Sequence, residues 1–84
     1  MIKKAFEIKL QNGLDARTIA LLVQIASKYD SSVYIEADGK KINAKSIMGM
    51  MTMGLNNGEE VVVAADGHDE EAALDEVGRF LSEN

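Results

Sequence analysis

Apolar and polar residues alternate from Ala5 to Leu10, with Phe6, Ile8 and Leu10 on one side and Glu7 and Lys9 on the other, which predicts a half-buried first strand. After the turn residues Gln11, Asn12 and Gly13 the period changes. Ala16, Ile19, Ala20, Val23, Ile25 and Ala26 recur at helical spacing up to about Tyr29. Asp15 stands where a carboxylate caps such a helix and meets the positive end of its dipole. Arg17, Leu21, Gln24 and Lys28 fall on one narrow edge of the helix, which is either an ordinary solvated stripe or a contact surface.

Alternation returns from Ser32 to Ala37. Asp38-Gly39 follows at once, the signal of a two-residue type I′ turn, so a third strand from Lys40 to about Ala44 pairs back with Ile42 inward. A short helix starts at Ile47 and ends by Gly54, and Asn56-Asn57-Gly58 supplies another turn. Glu60 to Ala65 is nearly continuous valine and alanine, as a strand flanked on both sides requires, and is therefore placed centrally. Asp69 is expected to cap a last helix that is acidic in its first turn and apolar along Ala73, Leu74, Val77, Phe80 and Leu81.

The order strand, helix, strand, strand, helix, strand, helix predicts one α+β domain over residues 1–84. A four-stranded antiparallel sheet with three helices on one face, an open-faced β-sandwich, accommodates it. A ferredoxin-like arrangement shares the first six elements, and pattern alone does not separate the two strand orders.

Composition narrows the function classes. Without cysteine there is neither a disulfide nor a thiolate metal site, and a reducing, cytoplasmic setting is expected. No apolar run approaches the ~20 residues of a membrane span, so no membrane insertion is expected. The net charge of −5 is divided unevenly: residues 59–84 carry nine acidic side chains against Arg79 alone. That acidic surface, and the absence of tryptophan, argue against direct nucleic-acid binding.

The chemistry concentrates in Lys40 to Gly54, KKINAKSIMGMMTMG. Ser46 is the residue before the short helix, where its hydroxyl accepts a backbone N–H such as that of Gly49. The same position would stabilise a phosphoryl group against free N–H groups, with Lys40, Lys41 and Lys45 close in sequence. Ile47, Met48, Met50, Met51 and Met53 point in nearly every direction, so some stay exposed. Ile47, Met48 and Met51 are the expected hydrophobic patch. Asp15 reads as a cap that Arg17 can neutralise, because an acyl-phosphate nucleophile needs a metal held by further carboxylates and none flank it. His68 reads as a surface turn residue.

GLDARTIALLVQIASKY at residues 13–29 and KKINAKSIMGMMTMG at 40–54 resemble the HPr family of the bacterial phosphoenolpyruvate-dependent sugar phosphotransferase system, across essentially the whole chain. The resemblance implies the open-faced sandwich and not the ferredoxin-like order. In carrier members the first motif reads GIHARPA or similar, and its histidine passes a phosphoryl group from enzyme I to sugar permease components. Asp15 stands at that position, Thr18 replaces the usual proline, and Arg17 is retained. The second motif matches the family's regulatory serine site, with Ser46 as acceptor and Ile47, Met48 and Met51 around it.

The resemblance thus implies a catabolite-repression member without cofactor or enzymatic activity of its own. Ser46 would be phosphorylated by HPr kinase/phosphorylase, and the product would dock on a LacI-type catabolite control repressor through Arg17, Leu21, Gln24, Lys45, Ile47, Met48 and Met51. The alternative is a carrier, native or engineered, that uses Asp15 with enzyme I and permease components. Glutamine is usual at position 15 in the regulatory branch, so aspartate departs from both patterns.

Overall fold

A computed structural model describes residues 1–83. The elements are β1 (Ile2–Glu7), α1 (Ala16–Ser27), β2 (Ser32–Ala37), β3 (Lys40–Asn43), α2 (Ile47–Met51), β4 (Glu60–Asp66) and α3 (Glu70–Ser82). Their order is the expected one, and every strand pairing is antiparallel in the sheet order β1-β4-β2-β3. β4 is central, as its continuous valine and alanine run requires. Asp38 and Gly39 both have positive φ, and Ala37 pairs with Lys40, so the hairpin closes through the expected two-residue turn.

One face of the sheet carries Val33, Ile35, Val61, Val63 and Ala65, all buried, and meets Leu22 and Ala26 of α1, Met50 of α2 and Val77 and Leu81 of α3 in a single core. The opposite face carries the Lys3–Glu36 ion pair at 3.2 Å and the Lys41 ammonium 4.6 Å above the Tyr34 ring.

Two sequence expectations need correction here. The first strand lies at Ile2–Glu7 and not at Ala5–Leu10. Ile8 and Leu10 are nevertheless buried, and Ile8 exchanges backbone bonds with Glu59 and Gly58, so the alternation reports burial that outlasts the ladder. In α1 the expected apolar set omits Leu22, which is fully buried, and includes Ala16, which is exposed. The buried stripe is Ile19, Leu22 and Ala26, a three-then-four spacing.

Candidate functional site

Two loops carry the candidate residues, one leading into α1 and the other into α2. The first runs from β1 to α1. Gly13 has φ +65°, and a Cβ there would lie 2.4 Å from the Leu55 carbonyl oxygen, so only glycine lets the chain pass. The Leu14 N–H donates to that same carbonyl at 2.9 Å, which pins the loop to the segment after α2.

Asp15 is the N-cap of α1, as expected, and Thr18 completes a capping box with it. The Thr18 N–H donates to Asp15 Oδ1 at 2.9 Å, and the Asp15 N–H donates to Thr18 Oγ1 at 2.9 Å. The amide and then the hydroxyl of Thr18 hold the Asp15 carboxyl below its ordinary value. The expected neutralisation by Arg17 does not occur: Arg17 is exposed on α1, and among the described residues its guanidinium has no ion pair. A shallow groove of about 460 Å³ opens beside Asp15, lined by Lys9, Asn12, Arg17, Leu21 and Phe80 among others.

The second loop joins β3 to α2. Ser46 is the N-cap of α2, and its Oγ accepts the Gly49 N–H at 3.0 Å. A Cβ on Gly49 would lie 3.0 Å from Ile42 Cγ2, so the glycine lets α2 settle close to β3. Met50 alone of the α2 residues is fully buried. Ile47, Met48 and Met51 are 49%, 82% and 59% exposed, and Leu21 on α1 is 41% exposed. Apart from Met1, these four are the exposed large apolar residues among those described, and all lie on α1 and α2, which pack against each other. Arg17 and Gln24 are exposed on α1 beside Leu21.

The lysines do not converge on Ser46. Lys41 stacks over Tyr34, Lys40 sits exposed at the hairpin turn, and the Lys45 ammonium donates to the Tyr29 carbonyl at 2.7 Å. Proximity in sequence misled because β3 alternates its side chains between faces.

At the other end of α1, pairings between residues far apart in sequence appear. Asp69 occupies the N-cap position of α3 but makes no capping bond with its side chain, contrary to expectation. Its carboxylate instead accepts the Ser31 N–H and hydroxyl and the Asp30 N–H, led by the Ser31 hydroxyl, which pulls its pKa down to about 2. His68 is an exposed turn residue as expected, but its ring lies 2.9 Å from Asp30, which raises its pKa. Ligand atoms of Asp30, His68 and Asp69 thus gather within 4.8 Å of one another, each already engaged by a neighbour. The phenol of Tyr29 donates to Glu76 on α3, and Lys28 reaches the other oxygen of Glu76 at 2.6 Å. No local sequence pattern signals these contacts. Asp15-x-x-Thr18, by contrast, has capping-box spacing and is readable.

Comparisons with known proteins agree with the geometry. The family model described as the PTS HPr component phosphorylation site matches residues 2–83. The HPr-like protein Crh of Bacillus subtilis is 45% identical over 83 residues, which is 99% of this chain and 98% of that protein. The crystal structure of the phosphocarrier protein HPr from Bacillus anthracis superposes with a TM-score of 0.94 at 38% identity, covering 96% of both chains. A crystal structure of Bacillus subtilis Crh, there a domain-swapped dimer, gives a TM-score of 0.80 at 44% identity, covering 99% of this chain and 95% of that one. Among the described residues no helix is long and apolar enough to cross a membrane.

Proposed function

The chain belongs to the HPr family, and on that premise we propose that it is a regulatory protein of carbon catabolite repression with Ser46 as its switch. HPr kinase/phosphorylase transfers the γ-phosphoryl group of ATP to the Ser46 hydroxyl. A bond forms between Oγ and phosphorus, the bond from phosphorus to the β–γ bridging oxygen breaks, ADP leaves, and the hydroxyl proton passes to a base of the kinase. The phosphorylated chain then docks on a LacI-type catabolite control repressor as corepressor.

The observation that carries this reading is the distribution of exposed apolar surface. Leu21, Ile47, Met48 and Met51 are exposed on two packed helices, and Ser46 caps the second of them. Methionine suits such a surface because its unbranched side chain adapts to a partner. Arg17 and Gln24 supply polar contacts at its edge, Arg17 with a guanidinium that has no ion pair among the described residues and is fit for a carboxylate or phosphate of the complex. A phosphoryl group on Ser46 adds about two negative charges at the start of α2, beside N–H groups that a helix leaves unsatisfied.

The alternative, phosphoryl carriage on Asp15, is disfavoured by the capping box. The Asp15 carboxylate is a bonded helix cap, and among the described residues it belongs to no group of three or more possible metal ligands. Enzyme I with labelled phosphoenolpyruvate separates the two readings: label retained on the chain as an alkali-labile acyl phosphate supports carriage, and its absence supports regulation.

Repressor binding tests the proposal itself. The chain phosphorylated on Ser46 binds the catabolite control repressor, whereas the unphosphorylated chain and Ser46→Ala bind at least tenfold more weakly, a range expected for one charge-assisted contact. Equal binding by all three removes the switch.

A further inference from the structure

Lys45 precedes Ser46 but turns away from it. Its own N–H donates to Asn43 Oδ1 at 2.8 Å, and its ammonium donates to the Tyr29 carbonyl at 2.7 Å in a partly buried contact. Tyr29 immediately follows Lys28, the C-cap of α1, so this carbonyl lies just past the helix end, where the dipole favours a cation. The phenol of Tyr29 is meanwhile held by Glu76 on α3. One residue therefore joins three elements: its ring to α3, its backbone to α1 and its carbonyl to the serine loop.

We infer that Lys45 is a positioning residue for the docking face: its ammonium, bonded to the Tyr29 carbonyl, fastens the serine loop to the end of α1 and so fixes α2 against α1. The inference rests on the assignment of that face above. α2 has five residues, too few to hold its own place by helix cooperativity, so its position depends on tertiary anchors. Met50 in the core and the Leu14–Leu55 bond anchor it after Ser46 in sequence, and the Lys45–Tyr29 bond anchors it before. Because Ile47, Met48 and Met51 lie on α2 while Arg17, Leu21 and Gln24 lie on α1, their relative placement is what a partner reads. Lys45 acts through α1 and not by touching phosphate or partner. A charge-assisted bond in a partly buried position is strong enough for that task.

The chain has no cysteine, so Gln24→Cys with Met48→Cys provides a unique pair of spin labels on α1 and α2. In the free, unphosphorylated protein, Lys45→Met broadens the distance distribution between them. Lys45→Arg, which can still donate to the carbonyl, restores it. Tyr29→Phe removes the bond to Glu76, keeps the carbonyl, and leaves the distribution unchanged. In unlabelled chains phosphorylated on Ser46, Lys45→Met weakens repressor binding about tenfold, and Lys45→Arg recovers it.

A Lys45→Met distribution identical to that of the parent protein overturns the inference. So does an unchanged distribution with lost affinity, which makes Lys45 a direct contact. If the phosphorylated parent chain binds no repressor, the functional reading fails, and the distances in the free protein still decide the role of Lys45.

Discussion

Thr18 and Asp15 hold each other across the first turn of α1, each donating its backbone N–H to the other's side chain at 2.9 Å. The N–H that Thr18 donates exists because this position is not proline. The aspartate and the threonine are therefore one structural unit. Together they close the first turn of α1 as a helix cap.

Replacing Thr18 with valine keeps the backbone N–H but removes the hydroxyl that accepts from Asp15 and donates to the Gly13 carbonyl. A loss of about 1 kcal/mol in urea unfolding is expected. The pH dependence has a definite sign. The folded pKa of Asp15 lies below its ordinary 3.8, so its contribution is complete above that value and is lost as pH falls through the folded pKa. In Thr18→Val the acid-side loss is smaller. Identical acid profiles in the two proteins contradict the coupling.

Neighbouring methionines of α2 answer differently to truncation. Met50→Ala opens a cavity in the core and costs about 2–5 kcal/mol. Met48→Ala and Met51→Ala, at exposed positions, change stability by no more than about 0.5 kcal/mol. Their effect falls on partner affinity. A Met48→Ala protein as unstable as Met50→Ala in chemical denaturation means that the helix is rotated from the position described.

His68 is the one histidine, so its imidazole resonances titrate without overlap in proton NMR. Asp30 raises its pKa above the ordinary 6.5, chiefly through the hydrogen bond between them. The stability it contributes is therefore complete below that value and is lost as pH rises through the folded pKa. Asp30→Asn returns the titration toward 6.5 and flattens that slope. An unmoved titration shows that the pair does not persist in solution, as exposed ion pairs sometimes do not.

Period and turn chemistry made most of the fold legible. The Asp38-Gly39 hairpin, the central valine strand and the Asp15 cap each follow from local physics, and all appear where expected. Ile47, Met48 and Met51 were separable from Met50 because a short helix on a sheet buries one side, and one turn of helix brings Ile47 and Met51 together. Boundaries failed where burial and hydrogen bonding part company, as at Ile8 and Leu10.

What could not be read were pairings between distant segments. Asp69 carries every local mark of a helix cap, yet its carboxylate serves Ser31 and Asp30 across the fold. Lys45, beside Ser46 in sequence, belongs in space to Tyr29. Such contacts depend on how loops meet at one end of the sheet, which periodicity does not encode.

The central claim, that Ser46 is the functional group of this chain, is tested most directly by mass spectrometry after incubation with HPr kinase/phosphorylase and ATP. The account predicts one phosphoryl group per chain, mapped to Ser46 and absent from Ser46→Ala. An unmodified chain, or a phosphoryl group mapped to any other residue, contradicts it.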